Sequence, residues 1–175
     1  MAEGSKMGLH LNHSKCEVIP HPDLNIVDQT VSSFTFVSVA DATLLGAPLF
    51  PGKVLDDTWL ARCEDLKRAA DRLSLLSAQD ALLLLRVSFS APRVQHLLRC
   101  APSVDNPALE QFDGHLRSAL RRITNTSLSD IQWLQASLPI KHGSLGIRQV
   151  HSLALPAFLD SAASTLDIQS QILSV

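Results

Sequence analysis

The sequence predicts a mainly α-helical fold in which a small N-terminal β element is followed by a helical bundle. Two observations predict it. Apolar residues recur at alternating four- and three-residue steps after position 52, and the aromatic and β-branched runs that favour strands fall within the first 50 residues. A third bounds the core: 46% of the 175 residues are hydrophobic but only 5% aromatic, with no Tyr, so packing volume comes mostly from Leu, Ala and Val. A chain of this length buries roughly 70% of its unfolded surface in one core. Its apolar content excludes disorder, and its longest purely apolar run, residues 81–85, is far short of a bilayer span.

Residues 16–19 read as a short strand and residues 34–39 as a second, with the PHPDLN segment, residues 20–25, as a loop between them. After Pro51-Gly52 the pattern turns helical. Trp59, Cys63, Leu66, Ala70 and Leu73 form one stripe, while Arg62, Asp65, Lys67, Arg68 and Asp71 take the other face. Ser77 with Asp80 starts a second helix through residues 81–87 in the manner of a capping box. Ser90-Ala91-Pro92 starts a third, to about Cys100, since proline suits a first turn and not a helix interior. Asn106-Pro107 caps a fourth, whose stripe is Leu109, Phe112, Leu116, Leu120 and Ile123, ending near Asn125. Ser129 or Asp130 caps a short helix through Trp133 that Pro139 stops. The turn LPIKHGSLGIR and a last apolar stretch, residues 150–166, follow.

Charge is uneven. The net is −2, which excludes a strongly basic nucleic-acid binder, but residues 86–148 carry 8 Lys and Arg against 4 Asp and Glu, a local net of +4. Any polyanion site must be local to that segment. Cys16, Cys63 and Cys100 form no CxxC and no paired framework, which favours a reducing, intracellular setting, and the start of the chain shows no secretory signal or lipidation motif.

The motifs that could carry chemistry have plainer structural readings. His10, His13, Cys16 and His21 hold metal-ligand residue types but lack the tight pairs of a structural zinc site, and His96 and Cys100 have no second pair beside them. Asp56-Asp57 opens an amphipathic helix, where acids suit the positive end of the dipole, rather than a hairpin holding two metals. Gly143-Ser-Leu-Gly146 lacks the Gly-Lys-Ser/Thr ending of a phosphate loop and reads as a tight turn. No GxSxG occurs.

Several segments resemble a known family. Gly8-Leu-His-Leu-Asn12 followed by Lys15-Cys-Glu-Val-Ile19 resembles the GLxLNxxKC segment after the catalytic hairpin in the palm of reverse transcriptases of non-LTR retrotransposons. Ala42-Thr-Leu-Leu-Gly-Ala-Pro-Leu49 resembles the LG-containing turn of that family's primer grip. Three later segments, SAQDALLLLRVSFSAPRVQHLLRC, LRRITNTSLSDIQWLQASLPIKHGSLGIR and LALPAFLDSAAST, resemble in order the helical thumb and the region after it. The resemblance covers about residues 8–166.

It implies a palm remnant with a primer-grip-like turn over 1–50, a thumb-like helical region over 51–166 and a truncated tail over 167–175. Lys15 matches a lysine placed near the incoming nucleotide's phosphates, and Leu45 and Gly46 match the primer-grip turn. Arg117, Arg121 and Arg122, with Arg93, Lys141 and Arg148, match the thumb surface that lies along a template-primer duplex. The family holds Mg²⁺ with an early Asp and the pair of a Tyr/Phe-x-Asp-Asp hairpin. Here none of Phe34, Phe36, Phe50, Phe89, Phe112 or Phe158 precedes such a pair, so the expectation is no metal site, no cofactor and no catalysis by this chain alone. What remains is weak, salt-sensitive binding to an RNA–DNA or RNA duplex, with no membrane partner. The alternatives are a helical protein–protein interaction module, whose uncovered apolar face would favour self-association, or a retroelement remnant without function.

Overall fold

The computed structural model describes residues 6–8, 10, 12–20 and 31–173; the expected loop after Pro20 lies outside them. The chain is mainly helical, with short strands near its N-terminus. Strand β1 (Glu17–Val18) pairs in parallel with β2 (Thr35–Phe36), Val18 opposite Phe36. Both are shorter than expected, because local polar groups divert the backbone. The Cys16 amide closes a 3₁₀ turn, His13–Lys15, on the His13 carbonyl. Ser38 accepts the Asp41 amide at 3.2 Å and donates to the Asp41 carboxylate at 2.7 Å, opening another turn, Val39–Asp41.

A tight hairpin follows: β3 (Thr43–Leu44) runs antiparallel to β4 (Ala47–Pro48). Its two turn residues, Leu45 and Gly46, have φ of +51° and +80°, the doubly left-handed geometry that matches the twist of a two-residue hairpin. A leucine there is strained, by about 1–2 kcal/mol relative to a right-handed conformation. The hairpin's inward residues, Ala42 and Ala47, are buried.

Helix α1 (Lys53–Leu73) buries the expected stripe plus Leu55. Its fully buried Trp59 stacks edge-on against Phe112 with ring centres 6.2 Å apart, and its Nε1 donates to the buried Ser103 Oγ at 2.9 Å. One side chain thus satisfies both requirements of a buried indole, apolar contact and a partner for the N–H.

Helix α2 (Ala78–Leu84) starts at Ser77, whose Oγ accepts the Asp80 amide at 3.2 Å. It does not continue as an α-helix to Val87. Residues Leu85–Phe89 form a π turn that ends where the Ser90 amide reaches the Leu85 carbonyl at 2.9 Å and Ser90 Oγ donates to the Arg86 carbonyl at 2.8 Å. Pro92 cannot extend a helical ladder from upstream, and the wider turn brings Leu85 and Ser90 into the interior with their polar groups satisfied.

Helix α3 (Ala91–Cys100) then carries Pro92 in its first turn. Helix α4 (Ala108–Thr124) begins where Asn106 Oδ1 accepts the Ala108 amide at 3.0 Å, and it stops at Asn125, which takes a left-handed conformation. A reciprocal capping box between Ser129 and Gln132 opens α5 (Asp130–Ser137). The apolar stretch beyond Gly146 becomes α6 (Val150–Ser164), and residues expected to be tail join a further helix, α7 (Leu166–Leu173).

α1 packs along α4, α3 along α6, and α4 also meets α6 and α2, so one core runs through the bundle. Residues 42–49 contribute Ala47 to that core, so the hairpin belongs to the bundle rather than standing apart. Among the described residues no helix is long and apolar enough to cross a membrane.

The start of α6 has no capping side chain of its own. Asp113, from the middle of α4 and buried, supplies it: Oδ1 accepts the Val150 amide at 2.7 Å and Oδ2 the His151 amide at 3.1 Å. Burial nevertheless pushes the Asp113 carboxyl above its ordinary value, against the pull of the two amide bonds. A carboxyl raised on folding contributes most below its unfolded value of 3.8 and loses that contribution as pH rises through the folded value. Asp113→Ala, which strands the buried Val150 amide and the part-buried His151 amide, is expected to lower the unfolding free energy by about 2–3 kcal/mol in urea titrations. Asp113→Asn keeps one acceptor, and the stability difference between wild type and this variant should move in favour of Asn as pH rises from about 3 to about 7. A difference independent of pH would show that burial does not dominate the carboxyl.

Candidate functional site

A groove of about 550 Å³ lies between α1, the end of α2 and the start of α3. Leu66, Leu73, Leu76, Leu84 and Phe89 give it an apolar lining, and Arg68, Arg72 and Arg93 stand at its rim. The helical repeat sets this arrangement: Leu66 and Leu73 belong to the inward stripe of α1, and Arg68 and Arg72 sit one turn apart on its outward side. The π turn brings Phe89 to the groove, and α3 then presents Arg93.

One acid serves the rim. The half-buried Asp65 accepts from Arg62 Nη1 at 3.2 Å and from Arg68 Nη2, and Arg93 Nη2 lies 3.9 Å from it. Three arginines, Arg68, Arg72 and Arg93, thus line the groove with one aspartate. Such an arrangement offers guanidinium donors to a polyanion and an apolar surface beside them.

The cations expected from the sequence do not form one free surface. Arg117 is part-buried: Nη1 donates to Asp130 Oδ1 at 2.7 Å and Nη2 to the Leu128 carbonyl, tying the end of α4 to the start of α5. Arg122 Nη1 donates to Asp71 Oδ1 at 2.7 Å and joins α4 to α1. Arg93 is at the groove rim. Arg121, Lys141 and Arg148 are exposed and carry no ion pair among the described residues. Sequence reading missed Arg68 and Arg72, which lie outside the net-positive segment; their four-residue spacing was visible, but only the fold sets them beside Arg93.

Lys15 is exposed at the end of its 3₁₀ turn, and Leu45 and Gly46 form the tip of the β3–β4 hairpin. Among the described residues no group of three His, Cys, Asp or Glu side chains could hold a metal. His21 lies outside them. His13 packs on Phe34, and Cys16 Sγ donates to the Asn12 carbonyl at 3.3 Å. Asp56, in the first turn of α1, accepts from Asn106 Nδ2 at 2.8 Å and so ties the start of α1 to the start of α4. Gly143 and Gly146 take φ of +76° and +73° in a turn where the Gly146 amide donates to the Leu138 carbonyl at 3.1 Å.

No family model, curated protein or solved structure matches the chain.

The two kinds of arginine should separate by stability. Arg117→Ala removes the partner of the Leu128 carbonyl and is expected to cost about 1–3 kcal/mol, whereas Arg121→Ala should stay within about 0.5 kcal/mol of wild type. Chemical denaturation of both variants gives the comparison, and equal effects would contradict the bracing role of Arg117.

Proposed function

We propose that this chain is a non-catalytic, thumb-like helical protein of reverse transcriptase-like retroelement origin, and that it binds duplex nucleic acid weakly through the basic rim of the α1–α3 groove. The observation that carries the reading is the meeting of Arg68, Arg72 and Arg93 around one open groove with a single aspartate among them. Guanidiniums on a rigid helical surface contact backbone phosphates without regard to sequence, and an apolar lining beside them suits the sugar edges of a shallow minor groove. The family origin rests on the ordered resemblance of the sequence. The family's metal-holding pair is not present, since no aromatic residue precedes an Asp-Asp at the required spacing.

A second reading is favoured by the apolar residues the bundle leaves outside. Leu155 and Leu159, one turn apart on α6, are 48% and 55% exposed, and Leu76 at the groove is 48% exposed. Such surface suits a protein partner or a second copy of the chain.

Fluorescence anisotropy with a labelled RNA–DNA hybrid distinguishes the two. Duplex binding should be independent of sequence and fall steeply with salt, and each of Arg68→Ala, Arg72→Ala and Arg93→Ala should reduce the log–log salt slope by about 1. Binding indifferent to salt, or unchanged in the triple variant, would overturn the duplex reading. A sedimentation mass that rises above 19.0 kDa with concentration would then favour self-association.

A further inference from the structure

On the other face of α3 a cysteine, a histidine and a hairpin carbonyl line up. His96 and Cys100 are four residues apart, and Cys100 Sγ lies 3.5 Å from His96 Nδ1. His96 Nε2 lies 3.2 Å from the carbonyl oxygen of Leu45. A carbonyl only accepts, so Nε2 carries the ring hydrogen and Nδ1 presents its lone pair to the thiol. That carbonyl belongs to the strained Leu45-Gly46 turn. The hairpin tip therefore fixes the tautomer of a base already in contact with a nucleophile, the arrangement that activates thiols elsewhere.

The pair opens onto a second groove of about 380 Å³, apolar through Leu44, Leu49, Phe158 and Ala162, with Arg99 as the cation at its edge. The other two thiols lack this setting. Cys63 is buried, pushed up to about 11 by loss of water, and donates to the Ala108 carbonyl at 3.5 Å. Cys16 donates to a backbone carbonyl, and among the described residues no hydrogen bond joins it to a histidine. Cys100 is exposed to reagent.

We propose that Cys100 is an adduct-forming nucleophile, with His96 as its base, and that the adjoining groove selects apolar α,β-unsaturated carbonyl compounds. As Sγ bonds to the β-carbon, its proton passes to His96 Nδ1, the C=C π pair shifts to the bond between the α-carbon and the carbonyl carbon, and the C=O π pair moves onto oxygen to give an enolate. Arg99 is the cation available to that enolate. The imidazolium proton, relayed by water, then goes to the α-carbon, which leaves a thioether and neutral His96. The addition has no leaving group and needs no oxidant or reductant. It stands apart from the duplex reading and involves none of the residues assigned there.

The test follows adducts at each cysteine of the full chain by peptide mass spectrometry, with trans-2-nonenal as the apolar probe and acrylamide as the small one. Cys100 should form the nonenal adduct at least about tenfold faster than Cys16 or free glutathione, and His96→Asn should slow it by about tenfold or more for both probes. Phe158→Ser should reduce the preference for nonenal over acrylamide, read as the ratio of the two adduct rates at Cys100 within the same variant. His96 is exposed, so its replacement should leave the circular dichroism spectrum intact, and a matched spectrum is required of each variant. Equal rates at Cys100 and Cys16, or no effect of His96→Asn in a folded variant, would overturn the proposal. Loss of the groove variant's selectivity effect alone would overturn the apolar substrate class.

Discussion

The bundle turns on a carboxylate that serves a helix other than its own. α6 has no side chain at its start to occupy its first amides, and Asp113 reaches them from the middle of α4. The position carries a cost, since a buried carboxylate loses its water, and two charge-assisted bonds offset only part of it, and only while α4 and α6 hold their relative placement. Because α6 also covers α3, the same contact sets where Phe158 and Ala162 stand against Cys100. Secondary structure and tertiary docking are here one event: α6 is completed as a helix by the act of packing.

The connection between α3 and α4 is organised in a similar way. Ser103 takes the Trp59 indole, Asn106 bonds both the start of α4 and Asp56 at the start of α1, and the Cys63 thiol reaches the Ala108 carbonyl. Polar groups of residues 103–108 thus tie this connection to α1, the longest helix. Arg117 and Arg122 extend the pattern by joining α4 to α5 and α1. These cations are spent on architecture, whereas at the groove rim three guanidiniums gather around one aspartate.

Local chemistry was legible in the sequence where it is local in the fold. The stripe from Trp59 to Leu73 follows from the helical period, and Ser77, Pro92 and the Ser129 box mark helix starts through bonds that reach only a few residues. The rest depends on residues distant in the chain. Asp113 reads as one more polar position on α4, and nothing near it announces a cap 37 residues away. Arg117 looks like an outward cation until Leu128 and Asp130 come into place. The groove rim was missed for the same reason: charge counted along the chain put the positive surface after residue 86, and the fold recruits Arg68 and Arg72 from before it. The strand lengths failed on a smaller scale, because Ser38 competes for the backbone more effectively than the β-branched residues around it.

The π turn at residues 85–89 has a consequence for how the chain tolerates change in length. A π turn holds one more residue than the α turn it replaces, so it is a reserve of chain at one place in the bundle. Deleting a residue in the middle of α1 or α4 would turn everything beyond it by about 100° and carry the inward stripe toward solvent. Deleting one within 85–89 has a local remedy, relaxation to an α ladder, with Ser90 resetting the phase before α3 begins. The segment is thus a place where the bundle can absorb the loss of one residue while its helices keep their faces.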